Sequence, residues 1–175
     1  MKKIVLMLLT VGILIACQEK QPVRFTTSSP EISTYKKMVD DYEKANWSSW
    51  ATMYSDTAKI YFNNWDKAST VAEIQKGHES MNENFSSYEF DKDQMVIEQN
   101  LDDDGETWVN FWSLWKGKLK ANGKEIHIPV HLTAQFVDGK VVEEYGFWDN
   151  SEYVAELQAI EAAAAAAEED AEDGE

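Results

Sequence analysis

The side chains able to do chemistry are few and widely spaced along the chain. His127 and His131 stand four residues apart in a β-type run. Strand rise separates them by about 13 Å, too far to share a metal ion. Ile126, Ile128, Val130, Leu132, Ala134 and Phe136 alternate as one apolar face, which leaves both histidines on the other face with Thr133 and Gln135. A bulge or an edge at Pro129 would change that phase and turn His131 inward. His78 falls on the apolar stripe of a helix and reads as a core or rim histidine. Glu143 and Glu144 are strand neighbours pointing to opposite faces; Glu143 shares parity with Tyr145 and Asp149, so it could border a pocket or belong to the sheet surface. Asp102-Asp103-Asp104-Gly105 invites a calcium reading. An EF-hand loop, however, needs acidic residues at alternate positions and a glutamate six residues past the glycine. Position 111 is Phe, so a solvated turn is expected. No glycine-rich phosphate loop, Cys/His metal spacing or Gly-x-Ser-x-Gly elbow is present. No metal and no cofactor are expected.

Aromatic residues are abundant, with seven each of Trp, Tyr and Phe. Trp47, Trp50, Tyr54, Tyr61, Trp65, Trp112, Tyr145 and Phe147 are the candidates to line a ligand pocket, because large rings with a polar handle suit flat or cyclic organic molecules. The same bulk would equally serve to fill an interior and leave no cavity.

These residues must be positioned by a meander of three strands, 107–120, 125–137 and 140–149. Asn122-Gly123 and Asp138-Gly139 join them, residues that tolerate the positive φ of hairpin turns. Ahead of it, Ser33 or Thr34 caps a helix running to Ala45, with Tyr35, Met38, Val39 and Tyr42 on one face. A short helix follows over 48–54, then a strand over 58–63. Thr70-Val-Ala-Glu73 is a capping box that opens a helix running to Phe85, and 88–99 alternates as a strand. After the meander, Asn150 or Ser151 starts a last helix with Tyr153, Leu157 and Ile160 as its packing stripe. Helices grouped on one side of a strongly curved antiparallel sheet make an α+β architecture.

That order of elements, and the closing Asp138-Gly-Lys-Val-Val-Glu-Glu-Tyr-Gly-Phe-Trp-Asp149, resembles the nuclear transport factor 2-like superfamily. The closer likeness is to its SnoaL-like (polyketide cyclase-like) branch, over roughly residues 33–157. The resemblance implies a cone: a curved sheet wrapped by N-terminal helices around an apolar pocket, a cystatin-like α+β roll. It also implies that Asp149 is an acid/base group reaching into the cone. That role requires a carboxyl desolvated by apolar neighbours, here Tyr145, Phe147 and Trp148. The competing role for Asp149 is to cap the last helix. The histidine partner implied by the resemblance falls at Ala134. The superfamily includes cyclases, ketosteroid isomerase, dehydratases, epoxide hydrolases and non-catalytic binding or dimerising domains, so the fold alone does not supply a function.

The first residues speak to compartment. Met1-Lys2-Lys3 is basic, and the apolar run 4–15 is shorter than the roughly 20 residues that span a bilayer. It fits the core of a signal peptide. Leu14-Ile15-Ala16-Cys17 resembles the lipobox of bacterial lipoproteins, which implies cleavage before Cys17 and its lipidation with acyl chains such as palmitate. Cys17 is the only cysteine in the chain. Several acyl chains, at about 0.8 kcal/mol per buried methylene, would hold the mature protein to a membrane. The resemblance implies a cell-envelope location, and Gln18, where an Asp would favour inner-membrane retention, points to the outer membrane facing periplasm or cell surface. The expected organisation is a signal peptide over 1–16, a lipidated Cys and flexible tether over 17–32, the cone domain over 33–160, and a disordered Ala-rich acidic tail over 161–175. A net charge of −16 without a basic patch argues against nucleic acid as a partner.

Three functions fit. The first is a membrane-anchored domain that binds a small apolar or aromatic molecule. The second is a cofactor-independent cyclase, isomerase or dehydratase in which Asp149 is the acid/base and Tyr54, Tyr61 or Tyr145 orients a substrate oxygen. The third is a dimerisation or interaction module using the outer sheet face around His127, His131, Thr133 and Gln135. The absent histidine at Ala134 favours binding over catalysis.

Overall fold

The computed structural model describes residues 23–172. The expected signal peptide, Cys17 and the first part of the tether lie outside the described residues. The first described element, β1 (Phe25–Thr26), pairs with the edge of β4 (Val96–Leu101). Arg24 reinforces that pairing, its guanidinium donating to the Leu101 carbonyl at 3.2 Å and to the Asp103 carboxylate at 2.8 Å. The part of the tether from Val23 to Ser29 is therefore attached to the domain, contrary to the sequence expectation.

Helix α1 (Pro30–Glu43) begins earlier than its periodicity suggested. Ser29 is the cap, its hydroxyl accepting from the Ile32 amide at 3.0 Å, and Pro30 follows with its φ already suited to the first turn. Helices α2 (Trp47–Ala51) and α3 (Val71–Asn82) complete the layer. At α3 the capping box forms as expected, the Thr70 hydroxyl accepting from the Glu73 amide while the Glu73 carboxylate accepts from the Thr70 amide.

The sheet has the order β1-β4-β5-β6-β7-β2, with β2 (Tyr54–Phe62), β5 (Thr107–Leu119), β6 (Glu125–Val137) and β7 (Lys140–Trp148). β3 (Phe85–Phe90) shares the long edge of β5 with β4, pairing with its second half while β4 pairs with its first. The single strand expected over 88–99 is thus two strands, interrupted by a 3₁₀ turn over Lys92–Gln94 that the Asp91 side chain caps. All pairings are antiparallel except β2 with β7. The Asp138-Gly139 turn has φ of 51° and 74°, the geometry of a primed hairpin.

The three helices cover one face of this curved sheet, as an α+β cone requires. Ile32, Tyr35, Ile60, Phe111, Leu119, Ile126 and Val141 are essentially inaccessible between the two layers. Helix α4 (Ser151–Glu172) docks through Tyr153 against Phe85, with ring centroids 5.3 Å apart, and through Lys124 to Glu156 at 2.6 Å. It does not fray at Glu161. It continues through the alanine run to Glu172, a length of about 33 Å at 1.5 Å per residue, so the tail expected to be disordered is helical over its described part. Alanine has the highest intrinsic helix preference, which here outweighs the lack of a buried face.

One close approach fixes the floor of the cone. A methyl group added at Gly117 would lie 2.3 Å from Cη2 of Trp115 and 2.7 Å from the Phe85 ring. Trp115 also donates from Nε1 to the Tyr42 hydroxyl at 3.0 Å, so its indole cannot move without losing a buried hydrogen bond. Gly117→Ala is expected to destabilise the protein by about 1–3 kcal/mol through overpacking, measured by urea unfolding.

Candidate functional site

The local event that builds the site is a bulge in β7. Gln135 pairs with Glu143, but Phe136 pairs with Val141, so Val142 is an extra residue opposite a single step of β6. The bulge reverses the alternation. Val141 and Glu144, three apart, are both fully buried, while Glu143 between them is half-exposed. Beyond it Gly146 and Trp148 also face the helices, and Tyr145 and Phe147 face out. The carboxyl delivered to the interior is therefore Glu144, not Glu143 as simple parity predicted.

Glu144 is 1% exposed and lies where three distant segments meet. The Tyr35 hydroxyl on α1 donates to one of its oxygens at 2.7 Å, and the Tyr54 hydroxyl on β2 donates to the other at 2.6 Å. Burial pushes the Glu144 carboxyl up to about 6, partly offset by the hydrogen bonds from Tyr54 and Tyr35. Burial, with the adjacent Glu144, pushes both phenols well above their ordinary value, so both remain donors.

A cavity of about 100 Å³ lies between helices and sheet with Glu144 in its wall. Its buried side consists of Tyr35, Met38, Val39, Tyr42, Trp50, Tyr54, Phe90, Trp115 and Ile128, and its half-buried side of Phe62, His78, Met81, Val130, Leu132 and Trp148. His78 stacks on Trp47 and meets Tyr42 and Trp50 edge-on. Burial lowers its imidazole to about 4, so it is neutral around pH 7. Of the two, the carboxyl near 6 is the one matched to acid/base work near neutrality.

The structure separates the residues expected at the pocket into two sets. Trp50 and Tyr54 line the cavity, and Trp47 stands behind that wall, packed on Tyr42, Trp50 and His78. Tyr61, Trp65, Trp112, Tyr145 and Phe147 do not line it. They lie on the opposite face of the sheet or at its margin, where Tyr61 stacks on Tyr145 at 4.9 Å and Trp65 covers Tyr145 and Phe147. For Tyr145 and Phe147 the cause is the same as for Glu143: the bulge in β7 turns them outward. Asp149 is also corrected. It is exposed just beyond the end of β7, and its carboxylate accepts from the Ser151 amide at 2.8 Å, which holds it below the ordinary carboxylate range. It holds the first amide of α4 from the position before the cap and does not enter the cone. The β5–β6 ladder runs through Pro129 without a register shift, so His127 and His131 stay on the outer face, His131 stacked on Trp112 at 4.6 Å. Ala134, where the resemblance implied a histidine, is buried directly opposite Glu144. In the sequence Tyr35 stands out only as part of a packing stripe. Its hydroxyl among apolar neighbours was the available signal that the interior contains an acceptor. Among the described residues no group of three or more His, Cys, Asp or Glu could hold a metal ion, and no helix is long and apolar enough to cross a membrane.

Comparison with known proteins places this geometry. The model of the SnoaL-like domain matches residues 35–144. No curated protein matches the chain. Among solved structures, a provisionally assigned polyketide cyclase from Xanthomonas campestris pv. campestris is 12% identical, with a TM-score of 0.60 over 74% of this chain and 98% of that one. AclR, a provisionally assigned hydroxylase from Streptomyces galilaeus, is 16% identical, with a TM-score of 0.60 over 74% and 96%. A protein of ketosteroid isomerase-like fold from Catenulispora acidiphila, in complex with trimethylamine, is 8% identical, with a TM-score of 0.54 over 67% and 86%. At these identities the likeness is one of fold.

The raised Glu144 has a consequence for stability. The folded chain holds this proton over a range in which the unfolded chain, near 4.3, has released it. Its contribution is fully present below the unfolded value and is lost as pH rises through about 6, an effect of about 2 kcal/mol. Urea unfolding at pH 4 and pH 7.5 is expected to show that extra loss in the wild type relative to Glu144→Gln. Equal pH dependence in the two proteins would mean that the carboxyl titrates normally.

Proposed function

The chain belongs to the SnoaL-like domain family, and from that premise we propose that its cone holds one small, largely apolar or aromatic organic molecule, with Glu144 as the polar contact. The observation that carries this reading is the cavity of about 100 Å³ with a fully buried carboxyl in an otherwise apolar wall. Aromatic walls supply contact area, and a single buried polar group orients the occupant. The abundant rings therefore do not fill the interior completely. Cavities of the same order, about 150 Å³, accept benzene in other proteins.

A second reading is favoured by Glu144 itself: proton transfer of the cyclase or isomerase kind. Asp149 has no part in it. The carboxylate would take a proton from a bound molecule and return it at another atom, with Tyr35 and Tyr54 stabilising the charged form. No cofactor is required for such a transfer.

We also propose that the mature domain is held at a membrane of the cell envelope through lipid on Cys17. The support is the Leu14-Ile15-Ala16-Cys17 sequence after a short apolar run. Radioactive palmitate is expected to label the wild-type chain and not Cys17→Ala. Labelling that survives the substitution would remove the anchor.

Binding in the cone is read by the indole N–H signals in an NMR titration with small organic molecules. Those of Trp50, Trp115 and Trp148 should move, and those of Trp65 and Trp112 on the outer face should not. Val130→Phe, which adds bulk at the cavity wall, is expected to weaken binding at least tenfold. Movement confined to the outer indoles would reject the cone as the binding site.

A further inference from the structure

The cavity combines three properties that together select one class of occupant. Its wall contains a carboxylate with no cationic partner: among the described residues no lysine or arginine forms an ion pair with Glu144, and the groups that hold it are two neutral hydroxyls. The same cavity is lined by the aromatic side chains of Tyr35, Tyr42, Trp50, Tyr54, Trp115 and Trp148, and aromatic rings attract a cation that has shed its water. The space suits a compact head group.

We propose that the occupant of the cone is a small organic cation, a methylated ammonium or a protonated amine, with Glu144 as its counter-ion. This rests on the reading that the cone binds a small organic molecule, and it names the chemical class. A metal cation does not suit the same wall. Calcium takes six to eight oxygen ligands and magnesium six, whereas this wall offers one carboxylate and phenol oxygens among apolar groups. A methylated ammonium is weakly hydrated and presents methyl groups to the rings, so desolvation costs it less. The ion also supplies the positive charge that an ionised Glu144 lacks in the folded chain.

Binding should follow the ionisation of Glu144. The titratable groups that face it across the cavity are Tyr35 and Tyr42 from α1, Tyr54 from β2 and His78 from α3. The tyrosines stay protonated, and His78 stays neutral above about 5. Between pH 7.5 and 5 Glu144 is then the group in the cavity that changes charge.

The test uses the purified full chain with tetramethylammonium, whose charge does not depend on pH, and tert-butyl alcohol, a neutral molecule of similar shape. Affinities come from NMR titration of the interior indole signals. The cation is expected to bind at least tenfold more tightly than the alcohol at pH 7.5, and to lose about tenfold on going to pH 5. In Glu144→Gln, provided its indole signals remain dispersed, the ratio of the two affinities should fall to near one. Equal affinity for the two probes in the wild type, or a cation affinity flat with pH, overturns the proposal and leaves the small-molecule reading standing. If neither probe, nor any neutral aromatic, moves the interior indoles, the small-molecule reading fails and the proposal fails with it.

Discussion

A carboxyl group buried among rings must be held by donors from elsewhere in the fold, and that requirement ties this protein together. Glu144 on β7 is reached by Tyr35 from α1 and Tyr54 from β2, which are 109 and 90 residues away in sequence. Left without partners, such a group would cost several kcal/mol on transfer from water. Each hydroxyl satisfies one oxygen, so helix and strand must close on the sheet together for either bond to pay for the desolvation. The helical layer is therefore anchored to the sheet by polar contacts as well as by apolar packing, with Tyr35 and Tyr54 both buried against the carboxyl.

The second constraint is one of register. With strict alternation from the buried Val141, β7 would turn Glu143, Tyr145 and Phe147 toward the helices. The extra residue Val142 places Glu144, Gly146 and Trp148 there instead. The exchange matters for volume, because it puts a glycine where a tyrosine would otherwise stand. Gly146 already lies close to Phe62, Leu132 and Trp148, so the space left open in the cone depends on this shift of one position. The same shift carries Tyr145 and Phe147 to the outer face beside Tyr61 and Trp65.

This explains which parts of the molecule were legible in the sequence. The turns and the capping box were, because Asp138-Gly139 and Thr70–Glu73 act through local chemistry that nearby residues determine. The meander and the α+β architecture followed from alternation and from the order of elements. The site did not follow, because Val142 is an ordinary β residue that gives no sign of being a bulge, and every parity argument downstream of it was inverted. Asp149 was misplaced for another reason: a carboxylate at the end of a strand is equally suited to capping the next helix, and a local amide was available to it. Ser29 and Pro30 have the composition of a linker, yet at the start of a helix the same pair forms the cap and the first turn.

Helix α4 has a consequence of a different kind. Its far end carries Glu168, Glu169 and Asp170, with no basic residue in the last turn. A helix C-terminus already bears partial negative charge, so these carboxylates work against the turn that holds them. Salt screens such repulsion beyond about 8 Å at physiological ionic strength, and only beyond about 30 Å near 0.01 M. The last turn of α4 is therefore the part of the fold whose hold depends most on the ionic strength around it, firmer in concentrated salt than in dilute solution.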